Sequence, residues 1–142
     1  MIITLAALLV LLTGLYFVAL SAFSLIYPAR AVCFLEAFAS SAFTHLLELS
    51  LRLTVGVAFL LYAPYMRFTG IFRIFGWVLI ATTIGLFAIP WRWHHRFAQW
   101  AVPFATRRLE MFAIGSLTLG VFIVLSVLFG EGILGTGEVV AR

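Results

Sequence analysis

Pro90-Trp91-Arg92-Trp93-His94-His95-Arg96-Phe97-Ala98-Gln99-Trp100 places three tryptophans, two arginines and two histidines between two long apolar runs. Trp and Arg concentrate at headgroup level, because the ring body or the aliphatic stem enters hydrocarbon while the polar end meets water or phosphate. The stretch therefore reads as a membrane interface and its flanks as membrane spans. Wound as a helix over 91–102, it gathers Arg92, His95, Arg96 and Gln99 on one narrow arc and Trp93, Phe97, Trp100 and Ala101 on the other. A helix divided in this way is expected to lie in the interface plane.

Composition agrees with that reading. Of 142 residues 65% are hydrophobic and 10% charged, with a mean hydropathy of +1.20, far outside the range of soluble domains. A helix needs about 20 apolar residues to cross roughly 30 Å of hydrocarbon. Four runs qualify, at about 2–26, 44–63, 70–89 and 109–129. The first is uncharged and ends at Pro28, the second carries Glu48 and Arg52, the third carries Arg73 and closes at Pro90, and the fourth is uncharged after Glu110. The opening run has no basic flank and is too long for the apolar core of a cleavable signal peptide, so it is expected to be a retained span. The expected domain is a single all-α membrane unit over 1–130, followed by a short, glycine-rich and weakly ordered tail at 131–142.

The connection at 29–43 resembles the one at 91–102 in pattern. Arg30, Cys33, Glu36, Ser40 and Ser41 share one helical face, and Val32, Leu35, Phe38, Ala39, Ala42 and Phe43 share the opposite one. A second interfacial amphipathic helix is expected there. Pro28 and Pro90 are each placed for a first helical turn, where a missing amide proton costs nothing. Setting one against the other gives an offset of 90 − 28 = 62, which also pairs Arg30 with Arg92, Thr44 with Thr106, Leu47 with Leu109 and Glu48 with Glu110. This register points to a tandem repeat of span, interfacial helix, span. Two such copies face the same way, related by a pseudo-twofold axis along the membrane normal.

All nine basic residues are arginines, so the net charge of +4 resides in guanidinium groups that stay ionised and bind phosphate bidentately. Arg30, Arg52, Arg92, Arg96, Arg107 and Arg108 fall on the side of the interfacial helices, against Arg67, Arg73 and Arg142 on the other. By the positive-inside rule the interfacial helices are cytoplasmic and both termini periplasmic, in a bacterial inner membrane. The charge lies at membrane boundaries and not in a separate basic domain, so nucleic acid is set aside as a partner.

Glu48, Arg52, Arg107, Arg108 and Glu110 form the sharpest candidate cluster, because an ionisable group within a span costs about 2.5–3.5 kcal/mol on insertion scales and so needs a partner or a task. Glu48 precedes Arg52 by four residues and Glu110 follows Arg107 by three, both helical spacings. The cluster reads as a structural ion-pair clamp or, alternatively, as the intracellular end of a path through a homo-oligomeric transporter or channel. Arg30, Arg92 and Arg96, with Trp93 and Trp100, are candidates for gripping anionic lipid headgroups. His45 and His94 are weak candidates for haem or quinone, since such histidines belong on facing spans and not in interfacial segments. With one cysteine, Cys33, no intrachain disulfide or cysteine metal cluster is available. No Asp occurs in the chain, and no catalytic, metal or nucleotide fingerprint appears. The expectation is a non-catalytic protein without a cofactor, acting through membrane lipids, other membrane subunits or copies of itself. Small residues on the second, third and fourth runs, among them Gly56, Ala58, Gly76, Gly85, Gly115, Ser116 and Gly120, are expected to bring helices close.

Overall fold

The computed structural model describes residues 1–38, 42–88, 96 and 107–130. The elements are α1 (Ile2–Ile26), α2 (Pro28–Phe38), α3 (Ala42–Tyr62), a 3-10 turn (Ala63–Tyr65), α4 (Thr69–Ala88) and α5 (Leu109–Leu128). Every described element is helical. Four stretches, Ile2–Ile26, Phe43–Tyr65, Thr69–Ala88 and Leu109–Leu128, are long and apolar enough to cross a membrane. The outer faces carry Leu8, Leu12, Ile74, Trp77, Val78 and Ile114, all exposed. That is a surface suited to hydrocarbon and not to water.

Backbone hydrogen bonding makes these runs helical, because a span in lipid must satisfy its own amides and carbonyls. The hydroxyls follow the same economy. Thr13, Ser50, Thr54, Thr82, Thr83, Thr118 and Ser126 each donate to the carbonyl four residues earlier, at 2.6–2.9 Å. Pro28 ends α1. It has no amide to continue the ladder, and Tyr27 leaves the helical region at φ −128° and ψ 62°. The chain then folds back: the Phe23 and Phe34 rings lie 6.5 Å apart, whereas eleven residues of straight helix would separate them by about 16 Å along the axis.

Where the sequence points to one interfacial helix over 29–43, α2 runs Pro28–Phe38 and α3 begins at Ala42. The second interfacial segment, 91–102, lies outside the described residues except for Arg96, which is exposed, and the tail at 131–142 also lies outside them.

The most extensive helix contacts are α1 on α5 and α3 on α4, with a smaller α1–α3 interface. Both main contacts close over glycine. A Cβ on Gly120 would stand 2.7 Å from the Gly14 carbonyl oxygen and 2.8 Å from the Val18 nitrogen; one on Gly76 would stand 3.0 Å from the Gly56 carbonyl oxygen. Backbones approach here because nothing larger than hydrogen lies between them. Gly85 and Gly115, expected to serve the same purpose, face open space.

The two ends of the bundle differ in chemistry. Toward the 3-10 turn the core is apolar, built from Ala6, Val10, Phe59, Tyr62, Phe72, Ile123 and Val127. Phe59 stacks on Phe72 at 5.7 Å, and Phe72 on Phe122 at 5.3 Å, which ties α3, α4 and α5 together. Toward α2 polar side chains join the buried set, with Ser21, Ser24, His45, Thr83 and Ser116 beside Leu20, Ala31, Leu49 and Ala113.

Candidate functional site

The α2 end holds most of the described charge and a cavity of about 670 Å³. Among the described residues three elements line it. The last turn of α1 supplies Ser24 and Leu25; the first turns of α2 supply Pro28, Ala29 and Val32; the approach to α5 and its first turn supply Arg107, Arg108, Leu109, Glu110 and Met111. The elbow at Tyr27–Pro28 turns α2 away from the α1 axis and leaves room beside the start of α5.

Arg108 is the N-cap of α5 and offers no side-chain cap. The first helical bond runs from the Phe112 amide to the Arg108 carbonyl at 3.1 Å, so the amides of Leu109, Glu110 and Met111 have no partner within the helix. They make the first turn electropositive, a setting that favours anions. Arg107 and Arg108 are exposed beside it. One Arg108 nitrogen lies 3.7 Å from the Met111 sulfur.

Ser24, like Ser21 and Tyr62, differs from the hydroxyls that bond back to their own helices. It is 2% exposed, yet its Oγ has no hydrogen-bond partner, and neither does that of Ser21 one turn earlier. A buried hydroxyl left unpaired costs about 1–3 kcal/mol, so Ser24 is an expensive residue in the wall of an open cavity.

Among the described residues the only carboxylate–guanidinium pair is Glu48–Arg52, at 3.7 Å and one turn apart on α3. Glu110 has no such partner among them. Nor do the two carboxylates share an interface: α3 packs chiefly on α4 and α1, and α5 on α1. The sequence-derived cluster thus divides into a Glu48–Arg52 pair and an Arg107–Arg108–Glu110 group at the cavity. Arg30 is exposed on α2 and lies 5.4 Å over the Tyr27 ring. His45 is 6% exposed. Among the described residues no three His, Cys, Asp or Glu side chains come together as a metal site. Arg92, Trp93, His94 and Trp100 lie outside the described residues.

Ser21, Ser24 and Gly14 are absent from the sequence-derived candidates. The available signal was positional: two serines three residues apart on a charge-free span, one turn before a proline. Comparison with family models, with curated proteins and with solved structures finds no match.

Proposed function

We propose that this chain is a small non-catalytic multi-pass protein of a bacterial cytoplasmic membrane that acts by binding anionic lipid at its cytoplasmic end. The observation that carries the reading is the α2 end itself. There Arg30, Arg107 and Arg108 are exposed and free of carboxylate partners among the described residues, beside the electropositive first turn of α5. Guanidinium groups at headgroup depth gain about 1 kcal/mol each from an anionic leaflet. Arg92 and Arg96, in the connection between α4 and α5, extend the same basic end, with Trp93 and Trp100 as interface anchors. In this orientation both termini are periplasmic.

The tandem repeat belongs to the same reading. Gly14 and Gly76 are related by 76 − 14 = 62, the offset that relates Pro28 to Pro90. Gly14 meets Gly120 of α5, and Gly76 meets Gly56 of α3. A pseudo-twofold relation exchanges α1 with α4 and α3 with α5, and so exchanges the two most extensive interfaces. That exchange of interfaces supports the repeat, with the partner glycines Gly56 and Gly120 lying 120 − 56 = 64 residues apart, so the contact shifts by two positions between the copies.

Native mass spectrometry on protein extracted gently from its own membrane tests the proposal. The expected spectrum carries anionic phospholipid on the chain or on its homo-oligomer. A stoichiometric foreign polypeptide would instead make the chain an accessory subunit, and a bare chain that accepts no anionic lipid on titration would sink the reading.

A further inference from the structure

We propose that a water-filled crevice opens between α4 and α5 on the α2 side of the bundle, reaches the Glu48–Arg52 pair near mid-membrane, and stops at the aromatic stack. It brings water and small ions from one face of the membrane to the one carboxylate–guanidinium pair among the described residues.

Depth comes first. Arg52 lies 52 − 43 = 9 residues beyond Phe43, where its span begins, and so about 14 Å into a hydrocarbon layer roughly 30 Å thick. Hydrocarbon solvates neither a guanidinium nor a carboxylate, so a pair at that depth needs the bundle interior or water around it. The face it occupies is an inner one. His45, Glu48, Arg52, Val55, Phe59 and Tyr62 follow one another at steps of three and four residues, a single stripe of α3. His45, Phe59 and Tyr62 are buried, and Phe59 packs on Phe72 and Phe75 of α4. Between these buried residues Glu48 and Arg52 keep 35% and 41% of their side-chain surface accessible. An inner stripe that is accessible along its middle borders an opening in the bundle. The single contact of 3.7 Å leaves most of the Arg52 donors for water.

The walls supply the second, independent observation. Helix α5 rests on α1 and α4 on α3, whereas α4 and α5 meet, among the described residues, chiefly where Phe68 and Phe72 stack on Phe122 near the 3-10 turn. Two turns toward the α2 side, at 122 − 115 = 7 residues, the same stripe of α5 reaches Gly115, where a Cβ would meet nothing within 4 Å. The matching step on α4 leads from Phe75, packed edge-on against Phe59, to the exposed Thr82. Both stripes are therefore closed by rings near the turn and open beyond them. Glu48, Arg52 and Thr82 give entering water the polar partners it requires.

The test is chemical access on the full chain, one copy per lipid nanodisc. A water-soluble carbodiimide with an amine nucleophile should label Glu48 of the unaltered chain alongside the exposed Glu110, the positions being read by peptide mass spectrometry. In a Cys33→Ser background, Thr82→Cys and Gly115→Cys should react with a charged thiol reagent roughly tenfold faster than Val57→Cys, because only a wetted thiol ionises. Val57 is 43% exposed on the opposite side of α3, so it controls for exposure to lipid. The Glu48 reading needs no variant, which keeps the test open if a cysteine variant folds poorly. Labelling of Glu48 by a lipid-soluble carbodiimide alone, with Thr82→Cys and Gly115→Cys as slow as Val57→Cys, would overturn the crevice and set the pair against lipid. Aqueous labelling that vanishes when two chains share a disc would make this face a contact between copies, which also overturns the crevice.

Discussion

At the scale of single residues, what matters most is whether a side chain faces a backbone, a lipid or nothing. Gly120 faces backbone, so Gly120→Ala forces α1 and α5 apart and should cost about 1–3 kcal/mol, the range for overpacking a closed contact. Gly115, five residues earlier on the same helix, faces open space, and Gly115→Ala should change stability by less than about 0.5 kcal/mol. Thermal unfolding of both variants in one detergent measures the difference, and equal melting temperatures would refute the close approach. Glu48 poses a different question. Its pair with Arg52 is 3.7 Å long and both side chains are more than a third exposed, so Glu48→Gln should cost less than about 1 kcal/mol. A much larger loss would mean that the carboxylate holds something besides Arg52. Neither glycine could be ranked from the sequence, because small residues dot every span and only packing shows which of them meets another helix. Gly14, the one glycine of α1, lies beneath the close approach of Gly120 and gave the least visible signal.

At the scale of elements, the four spans are legible because hydrocarbon dictates them. Some 20 apolar residues and self-satisfied backbone amides leave the helix as the only solution for a chain of this composition. The break at Pro28 is legible for an equally local reason, the missing amide. The cavity is not, since it needs the elbow of α1 and α2 and the start of α5, more than 75 residues further along the chain, to be placed together. Pro28 should therefore control more than a helix end. In Pro28→Ala the restored amide is able to donate to the Ser24 carbonyl, and α1 can run on into α2. Spin labels on Cys33, the one native cysteine, and on Ile2→Cys report this directly. A straight helix sets the two positions about 46 Å apart, the elbow holds them closer, and Pro28→Ala should lengthen the distance toward that limit. An unchanged distance would show that tertiary contacts such as Phe23 on Phe34, and not the proline, hold the elbow.

At the scale of the whole molecule, the two most extensive helix contacts, α1 with α5 and α3 with α4, both join the half before the 3-10 turn to the half after it. Each half therefore finds its best partners in the other. The turn itself is fastened at the same junction: the Arg67 amide donates to the Ser126 carbonyl at 3.3 Å, and Phe68 stacks on Phe122 at 5.4 Å. A chain cut between residues 66 and 67 loses one covalent link and none of the α1–α5 and α3–α4 contacts. Residues 1–66 and 67–142, co-expressed as separate chains, should assemble and co-purify through a tag on one of them. The second half expressed alone should fail to accumulate, because α4 and α5 make little contact except through the aromatic stack near the turn. Gly120→Leu, which opens α1 from α5, should abolish recovery of the pair while Gly115→Leu does not. If residues 67–142 instead accumulate alone as a stable monomer, the interleaved packing described for the intact chain is not what holds it together.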